Sequence, residues 1–213
     1  MTDLLQQLQT HRLVPVVAIE SAADAIPLSE ALAAGGLPVT EITFRTAAAE
    51  ESIRAIVKAG NMIVGAGTVL TVEIAKRALD AGVSFMVTPG FSPRVVDFCL
   101  QKKIPIFPGT ATATDMQAAV EMGLSIVKYF PAEAMGGLKV LKALAAPFTT
   151  LKFMPTGGIT GENLRSYLEY RPVMACGGSW MVAKELIAGK QFSKITELTR
   201  YAVELVRQIK PAK

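Results

Sequence analysis

The sequence predicts a single-domain α/β protein, a (β/α)₈ TIM barrel over residues 1–213, and three observations carry that expectation. Short apolar runs recur at intervals of roughly 20 to 25 residues, each followed by a stretch with the period of an amphipathic helix. Glycines stand at the ends of the helical stretches. No Pro-rich tract, Ser/Gly linker or charge run divides the chain, and its 213 residues lie near the lower end of the usual barrel size.

The strands are expected near Val14–Ile19, Val39–Phe44, Met62–Ala66, Ser84–Val87, Ile104–Phe107, Ser125–Phe130, Leu151–Met154 and Val173–Cys176. Helices follow from about Ala22, Ala47, Val72, Pro93, Thr114, Leu138, Glu162 and Met181. Their start signals include Thr71, Ser92 before Pro93, and Thr160-Gly-Glu-Asn. Gly35, Gly60, Gly82, Gly123 and Gly189 fall where a left-handed residue ends a helix. Further helices over Asp3–Thr10 and Phe192–Ile209 serve as caps. This regular alternation favours a closed barrel over an open doubly wound sheet. No Gly-x-Gly-x-x-Gly follows the first strand, which speaks against a dinucleotide fold.

Composition narrows the chemistry. The formal charge is +4, with cations scattered among acids, so no basic stripe offers itself to nucleic acid. A mild positive excess suits an anionic small molecule. The opening Met-Thr-Asp-Leu-Leu-Gln-Gln lacks the basic and apolar runs of a signal peptide, and no apolar stretch is long enough for a bilayer. A cytoplasmic protein with no membrane partner is expected. Cys99 and Cys176 have no metal-ligand spacing and read as reduced core thiols. His11 is the only histidine, so sites built from several imidazoles are impossible and no metal site is expected. Acid/base work falls to Glu, Asp, Lys or Tyr.

A barrel places its active site at the C-terminal ends of its strands. In Thr40-Glu-Ile-Thr-Phe-Arg45, alternation puts Glu41, Thr43 and Arg45 on one face and Ile42 and Phe44 on the other. Helices outside the barrel would take the apolar pair, leaving Glu41, Thr43 and Arg45 facing the mouth. The plainer alternative is a Glu41–Arg45 ion pair, yet burying a carboxylate without use is expensive. Lys128 sits in the apolar run Ser125-Ile-Val-Lys-Tyr-Phe-Pro131, where desolvation works against the ammonium form and favours a nucleophilic amine. Lys152, in Leu151-Lys-Phe-Met-Pro155, occupies a parallel setting, and pattern alone does not choose between the two. Lys139 and Lys142 fall on a helix, facing solvent.

The stretches Pro155-Thr-Gly-Gly-Ile159 and Cys176-Gly-Gly-Ser-Trp180 follow the last two strands. Loops there often hold phosphate on bare backbone N–H groups beside a helix N-terminus. Gly65-Ala-Gly-Thr68, Thr88-Pro89-Gly90 and Pro108-Gly109 form further turns at the rim.

Taken in order, Glu41-Ile-Thr-Phe-Arg45-Thr, Gly65-Ala-Gly-Thr68-Val, Thr88-Pro89-Gly90, Pro108-Gly109, Lys128-Tyr-Phe-Pro-Ala-Glu, Pro155-Thr156-Gly-Gly-Ile and Gly177-Gly178-Ser179 resemble the 2-keto-3-deoxy-6-phosphogluconate (KDPG) aldolase family, also described as 4-hydroxy-2-oxoglutarate aldolases. The resemblance runs from the first strand through the eighth. It implies a class I aldolase, a lyase acting on a phosphorylated 2-keto acid, with no cofactor and a homotrimeric assembly. By the same resemblance Lys128 is the Schiff-base lysine and Glu41 the general acid/base. Arg45, Thr68, Pro89 and Thr156 contact substrate, and Gly157, Gly158, Gly178 and Ser179 hold phosphate. Two positions depart from the pattern. Glu20 stands where some similar proteins have an arginine, which leaves Arg45 to hold the substrate anion, and Thr88 replaces a serine. A phosphosugar isomerase or epimerase on the same barrel, or a non-catalytic phosphometabolite-binding protein, is the competing reading.

Overall fold

The computed structural model describes residues 2–209, so both ends of the expected 1–213 span lie outside the described residues. Nine strand segments are arranged in chain order around one ring: β1 (Leu13–Val17), β2 (Val39–Thr43), β3 (Ile63–Gly67), β4 (Phe85–Val87), β5 (Ile106–Phe107), β6 (Gly109–Thr110), β7 (Ile126–Tyr129), β8 (Lys152–Pro155) and β9 (Cys176–Gly178). The helices outside it are α1 (Thr2–His11), α2 (Ala25–Ala34), α3 (Ala49–Ala59), α4 (Val72–Asp80), α5 (Pro93–Gln101), α6 (Ala113–Glu121), α7 (Gly137–Ala145), α8 (Leu164–Glu169), α9 (Lys184–Ala188) and α10 (Phe192–Gln208).

All the pairings are parallel, in the order β5-β4-β3-β2-β1-β9 and β6-β7-β8. Bridges Phe153–Val173 and Thr156–Gly177 join β8 to the segment of β9 and close one side of the ring. The other join is β5 to β6: β5 is the end of the expected fifth strand, and β6 lies beyond it, where a Pro108-Gly109 turn was expected. Pro108 separates them: it has no N–H to give, while its carbonyl accepts from Lys128 N at 2.9 Å. The chain therefore pairs with β4 before Pro108 and with β7 after it. The barrel is closed, as the alternation of strands and helices implies.

Strand alternation divides the side chains. Ile42, Val127 and Phe153 are fully buried. The register aligns Val16, Glu41, Gly65 and Phe85 across four neighbouring strands. Gly65 leaves room for its neighbour, since a Cβ there would lie 2.2 Å from the Phe85 ring. Gly65→Ala is therefore expected to overpack the layer and lower the unfolding free energy by about 1–3 kcal/mol. Urea denaturation checks this, and an unchanged midpoint would mean that Phe85 moves aside freely.

Several boundaries differ from expectation for identifiable reasons. The eighth strand is Cys176–Gly178 rather than Val173–Cys176, so Gly177-Gly178 belongs to the strand and is not a turn after it. A short 3₁₀ turn, Ala22–Asp24, precedes α2, and another, Trp180–Val182, replaces the start expected for the eighth helix. Helix α8, expected from about Glu162, begins only at Leu164, after Asn163 Oδ1 accepts from Thr160 N at 2.9 Å. Thr71 caps α4 by accepting from Ile74 N, but Ser92 makes no side-chain cap and α5 relies on Pro93 in its first turn. Gly60, Gly82 and Gly123 are left-handed as expected, whereas Gly35 and Gly189 are not; Gly36 and Lys190 take that role one residue later. Gly35 has a packing reason instead, because a Cβ there would strike Thr199 of α10 at 2.5 Å.

The flanking helices match their expected positions. Helix α1 buries Leu8 and lies by the strand starts, where Leu4 and Gln7 border a cavity with Ile63 and Ser84. Cys99 and Cys176 are free and buried. Burial pushes the Cys99 thiol up to about 12 and raises that of Cys176 too, so neither is a thiolate at neutral pH. No helix among the described residues is long and apolar enough to cross a membrane.

Candidate active site

At the C-terminal ends of the strands lies a cavity of about 290 Å³. Glu41, Arg45, Thr68, Pro89, Lys128, Thr156, Gly157, Gly158, Gly178 and Ser179, all ten residues singled out in the sequence, line it. They come from six different strands or the loops that follow them, so closure of the barrel alone brings them together.

Glu41 and Lys128 are the centre. Both are buried, at 1% and 5% exposure, and Lys128 Nζ lies 3.4 Å from Glu41 Oε1. The pair spans the barrel from β2 to β7. This contact replaces the alternative Glu41–Arg45 ion pair. Glu41 Oε2 is buried and has no hydrogen-bond partner among the described residues, which leaves acceptor capacity beside the amine. Space for the carboxylate is made by Gly67, where a Cβ would sit 2.1 Å from Glu41 Oε1. Lys128 Nζ also stands 5.0 Å from the centre of the Phe130 ring.

The two lysines are separated by position along their strands. Lys128 is near the end of β7, but Lys152 opens β8, and the register pairs Lys152 with Ile126 and Lys128 with Met154. Lys152 lines a different cavity with Gln9, Arg12 and Arg171, near the foot of the barrel. Lys139 and Lys142 are exposed on α7, as expected.

Arg45 is exposed at the rim and is oriented by a short relay. Its Nε donates to Thr43 Oγ1 at 3.0 Å, and that hydroxyl donates to the Val17 carbonyl at 2.7 Å. Thr68 adopts φ 57°, an unfavourable region for a β-branched residue, directly after Gly67. Pro89 follows Thr88, whose hydroxyl donates to the Gly90 carbonyl and accepts from Gly109 N. Thr156 Oγ1 bonds the Met154 carbonyl at 3.3 Å. Glu20 does not line the cavity; it is exposed and paired with Lys184 at 2.8 Å.

The loop after β8 is held in one orientation. Ala132 N donates to the Thr156 carbonyl at 2.8 Å, and Glu133 N donates to that of Gly157 at 3.0 Å. Asn163 Nδ2 takes the Gly158 carbonyl at 2.9 Å. In a planar trans peptide each following N–H points opposite to its carbonyl. The N–H groups of Gly157, Gly158 and Ile159 are thereby turned away from these partners, and none has an acceptor among the described residues. Both glycines are left-handed, with φ 97° and 79°, a backbone geometry suited to curling successive amides around an anion. The helix N-terminus expected here is absent, since α8 starts only at Leu164. Ser179 is exposed and its side chain caps nothing. Gly178 packs under Trp180, whose ring a Cβ would meet at 1.9 Å.

Thr43 lines the cavity as its strand parity implies, and sequence reasoning left out Val16, Phe130, Ile159 and Gly177, which line it too. Phe130 was within reach, because it stands two residues after Lys128 and so keeps the same parity just past the end of β7.

A parallel barrel with a buried lysine against a buried carboxylate at its C-terminal mouth is the setting of barrel enzymes in which a lysine can serve as nucleophile. The chain belongs to the aldolase family of KDPG and KHG aldolases, whose family model matches residues 4–198. It is 47% identical to the 2-dehydro-3-deoxy-phosphogluconate aldolase of Treponema pallidum (strain Nichols), over 97% of this chain and 99% of that one. It is 40% identical to the KHG/KDPG aldolase of Escherichia coli (strain K12), over 92% of this chain and 93% of that one. Among solved structures it resembles the KDPG aldolase of Legionella pneumophila with pyruvate captured as a covalent carbinolamine intermediate. That match has a TM-score of 0.90 and 36% identity and covers 93% of this chain and 97% of that one.

Proposed function

We propose that this protein is a class I aldolase that cleaves KDPG to pyruvate and glyceraldehyde 3-phosphate, and that it also accepts 4-hydroxy-2-oxoglutarate. The observation that carries this reading is the buried Lys128–Glu41 pair at the barrel mouth. Lys128, as the free amine, adds to the C2 carbonyl. The carbinolamine loses water to give a protonated imine. That imine is an electron sink, so the C3–C4 bond breaks as Glu41 takes the C4 hydroxyl proton, directly or through one water. The aldehyde leaves with its phosphate, the enamine is protonated at C3, and water hydrolyses the imine to release pyruvate and regenerate the amine. Arg45 holds the substrate carboxylate, and Thr68, Pro89 and Thr156 orient the keto end.

The phosphate is assigned to Gly157, Gly158, Gly178 and Ser179, supported by the unpartnered N–H groups of the β8 loop. A hydrogen bond to a charged group contributes about 1.5–3 kcal/mol, so two imperfect ones favour the phosphorylated substrate on the order of a hundredfold in kcat/KM. Ser179→Asp places a like charge at the exposed rim and is expected to erase tenfold or more of that preference, leaving dephosphorylated 2-keto-3-deoxygluconate unaffected. A pyruvate-release assay on both substrates decides it. A wild type indifferent to the phosphate would reduce these loops to ordinary turns.

Family membership also supports a homotrimer acting in the cytoplasm. A sedimentation mass of one or two chains would remove the trimer.

A further inference from the structure

Glu133, in the Pro-Ala-Glu segment after β7, has no place in the chemistry above, yet its side chain is engaged. The phenol of Tyr167, on α8 and 1% exposed, donates a short hydrogen bond to Glu133 Oε1. Burial and this carboxylate raise the tyrosine well above its ordinary value, so it stays a donor at any working pH. The same Glu133 supplies the N–H that holds the Gly157 carbonyl, and Ala132 beside it holds that of Thr156. The surroundings fit this pair closely. A Cβ at Gly158 would lie 2.6 Å from Glu133 Cβ, and one at Gly137 would lie 3.0 Å from Glu133 Oε1 and 3.4 Å from the Tyr167 hydroxyl. Gly137 opens α7, so the carboxylate rests at the positive end of that helix.

We infer that Glu133 and Tyr167 are positioning residues that fix the Gly157–Gly158 turn for the phosphate, through the peptide N–H of Glu133. Tyr167 links α8, which follows β8, back to the loop after β7, so the turn between them is held from both sides. Glu133 does not line the cavity, and its hydrogen bond from the phenol holds the carboxylate away from the incoming anion. Releasing it frees the Thr156 and Gly157 carbonyls to reorient, and with them the N–H groups that face the cavity. The inference rests on the phosphate reading above, and the substrates that test the two are the same.

Tyr167→Phe deletes one hydroxyl and keeps the ring in the core. It is expected to raise KM for KDPG by about tenfold with kcat within about twofold, the loss of one well-placed amide bond to a charged group. Cleavage of the dephosphorylated substrate and borohydride trapping with pyruvate should be unchanged. Glu133→Ala should give the same KM increase and add nothing to Tyr167→Phe in the double variant, whereas Glu133→Gln, which keeps an acceptor for the phenol, should restore most of the affinity. If Tyr167→Phe weakens both substrates equally, or neither, or if the two single effects add, the positioning role is wrong while the phosphate site stands. A wild type that ignores the phosphate removes both. Thermal melts of each variant separate loss of fold, which would lower kcat on both substrates together.

Discussion

Lys128→Ala is expected to lose turnover by on the order of 10⁴-fold or more, because no other lysine among the described residues lines the mouth to form the imine. Reduction with borohydride in the presence of pyruvate should add a stable mass to the peptide containing Lys128 and to no other. The rival is specific. Lys152 occupies a matching sequence context, but it opens β8 and lines a cavity at the foot of the barrel. Label on the Lys152 peptide would overturn the assignment, and no label anywhere would favour an isomerase or epimerase using Glu41 as base. Lys128→Ala also leaves the Glu41 carboxylate buried without its counter-charge, so a folded but less stable barrel is expected by circular dichroism and thermal melting.

Glu41→Gln should lower kcat by about 10²–10⁴, the range for a positioned acid/base. The substitution keeps shape and removes the proton acceptor. Its Oε2 is the atom of interest: buried, unpartnered and beside the amine, it is the acceptor available to a C4 hydroxyl or to a bridging water. Trapping of pyruvate should be slowed as well, since dehydration of the carbinolamine needs proton transfer. Near-normal cleavage of KDPG by the variant would end this role for Glu41, whereas intact binding with no turnover in the wild type would point to a binding protein.

Much of the site was legible because its most informative strand obeys a rule of period two. Glu41 and Thr43 share a face on β2, Arg45 follows in the turn just past its end, and Ile42 packs outside, so parity alone aimed the carboxylate inward. The choice between Lys128 and Lys152 was not legible from pattern, because each precedes a proline by the same interval. What separates them is where each strand begins, and that is set by pairing across the sheet rather than by local composition. Gly177-Gly178 was misread as a turn for a related reason. Glycine is a poor strand former, and its use here answers to neighbours far away in sequence or around a bend: a Cβ at Gly177 would lie 2.4 Å from Thr156 Oγ1, and one at Gly178 would enter the Trp180 ring. Pro108-Gly109 was read only as a turn after the fifth strand; that pairing resumes at Gly109 with a new partner, past the missing donor of Pro108, depends on contacts across the ring. The strap from Glu133 to Tyr167 joins residues that no periodicity relates, so only the folded chain reveals it.

The vacancy at Gly67 bears on how this barrel can be redesigned. The volume that a methyl group would fill there is already occupied by the Glu41 carboxylate, so the floor of the cavity has no spare room on that side. An engineer seeking larger or uncharged electrophiles gains nothing by carving or decorating the strands below the lysine. Diversity introduced at the exposed rim at Ser179, on the side assigned to the phosphate, leaves Lys128, Glu41 and the carboxylate contact of Arg45 untouched and is where libraries for altered acceptors belong.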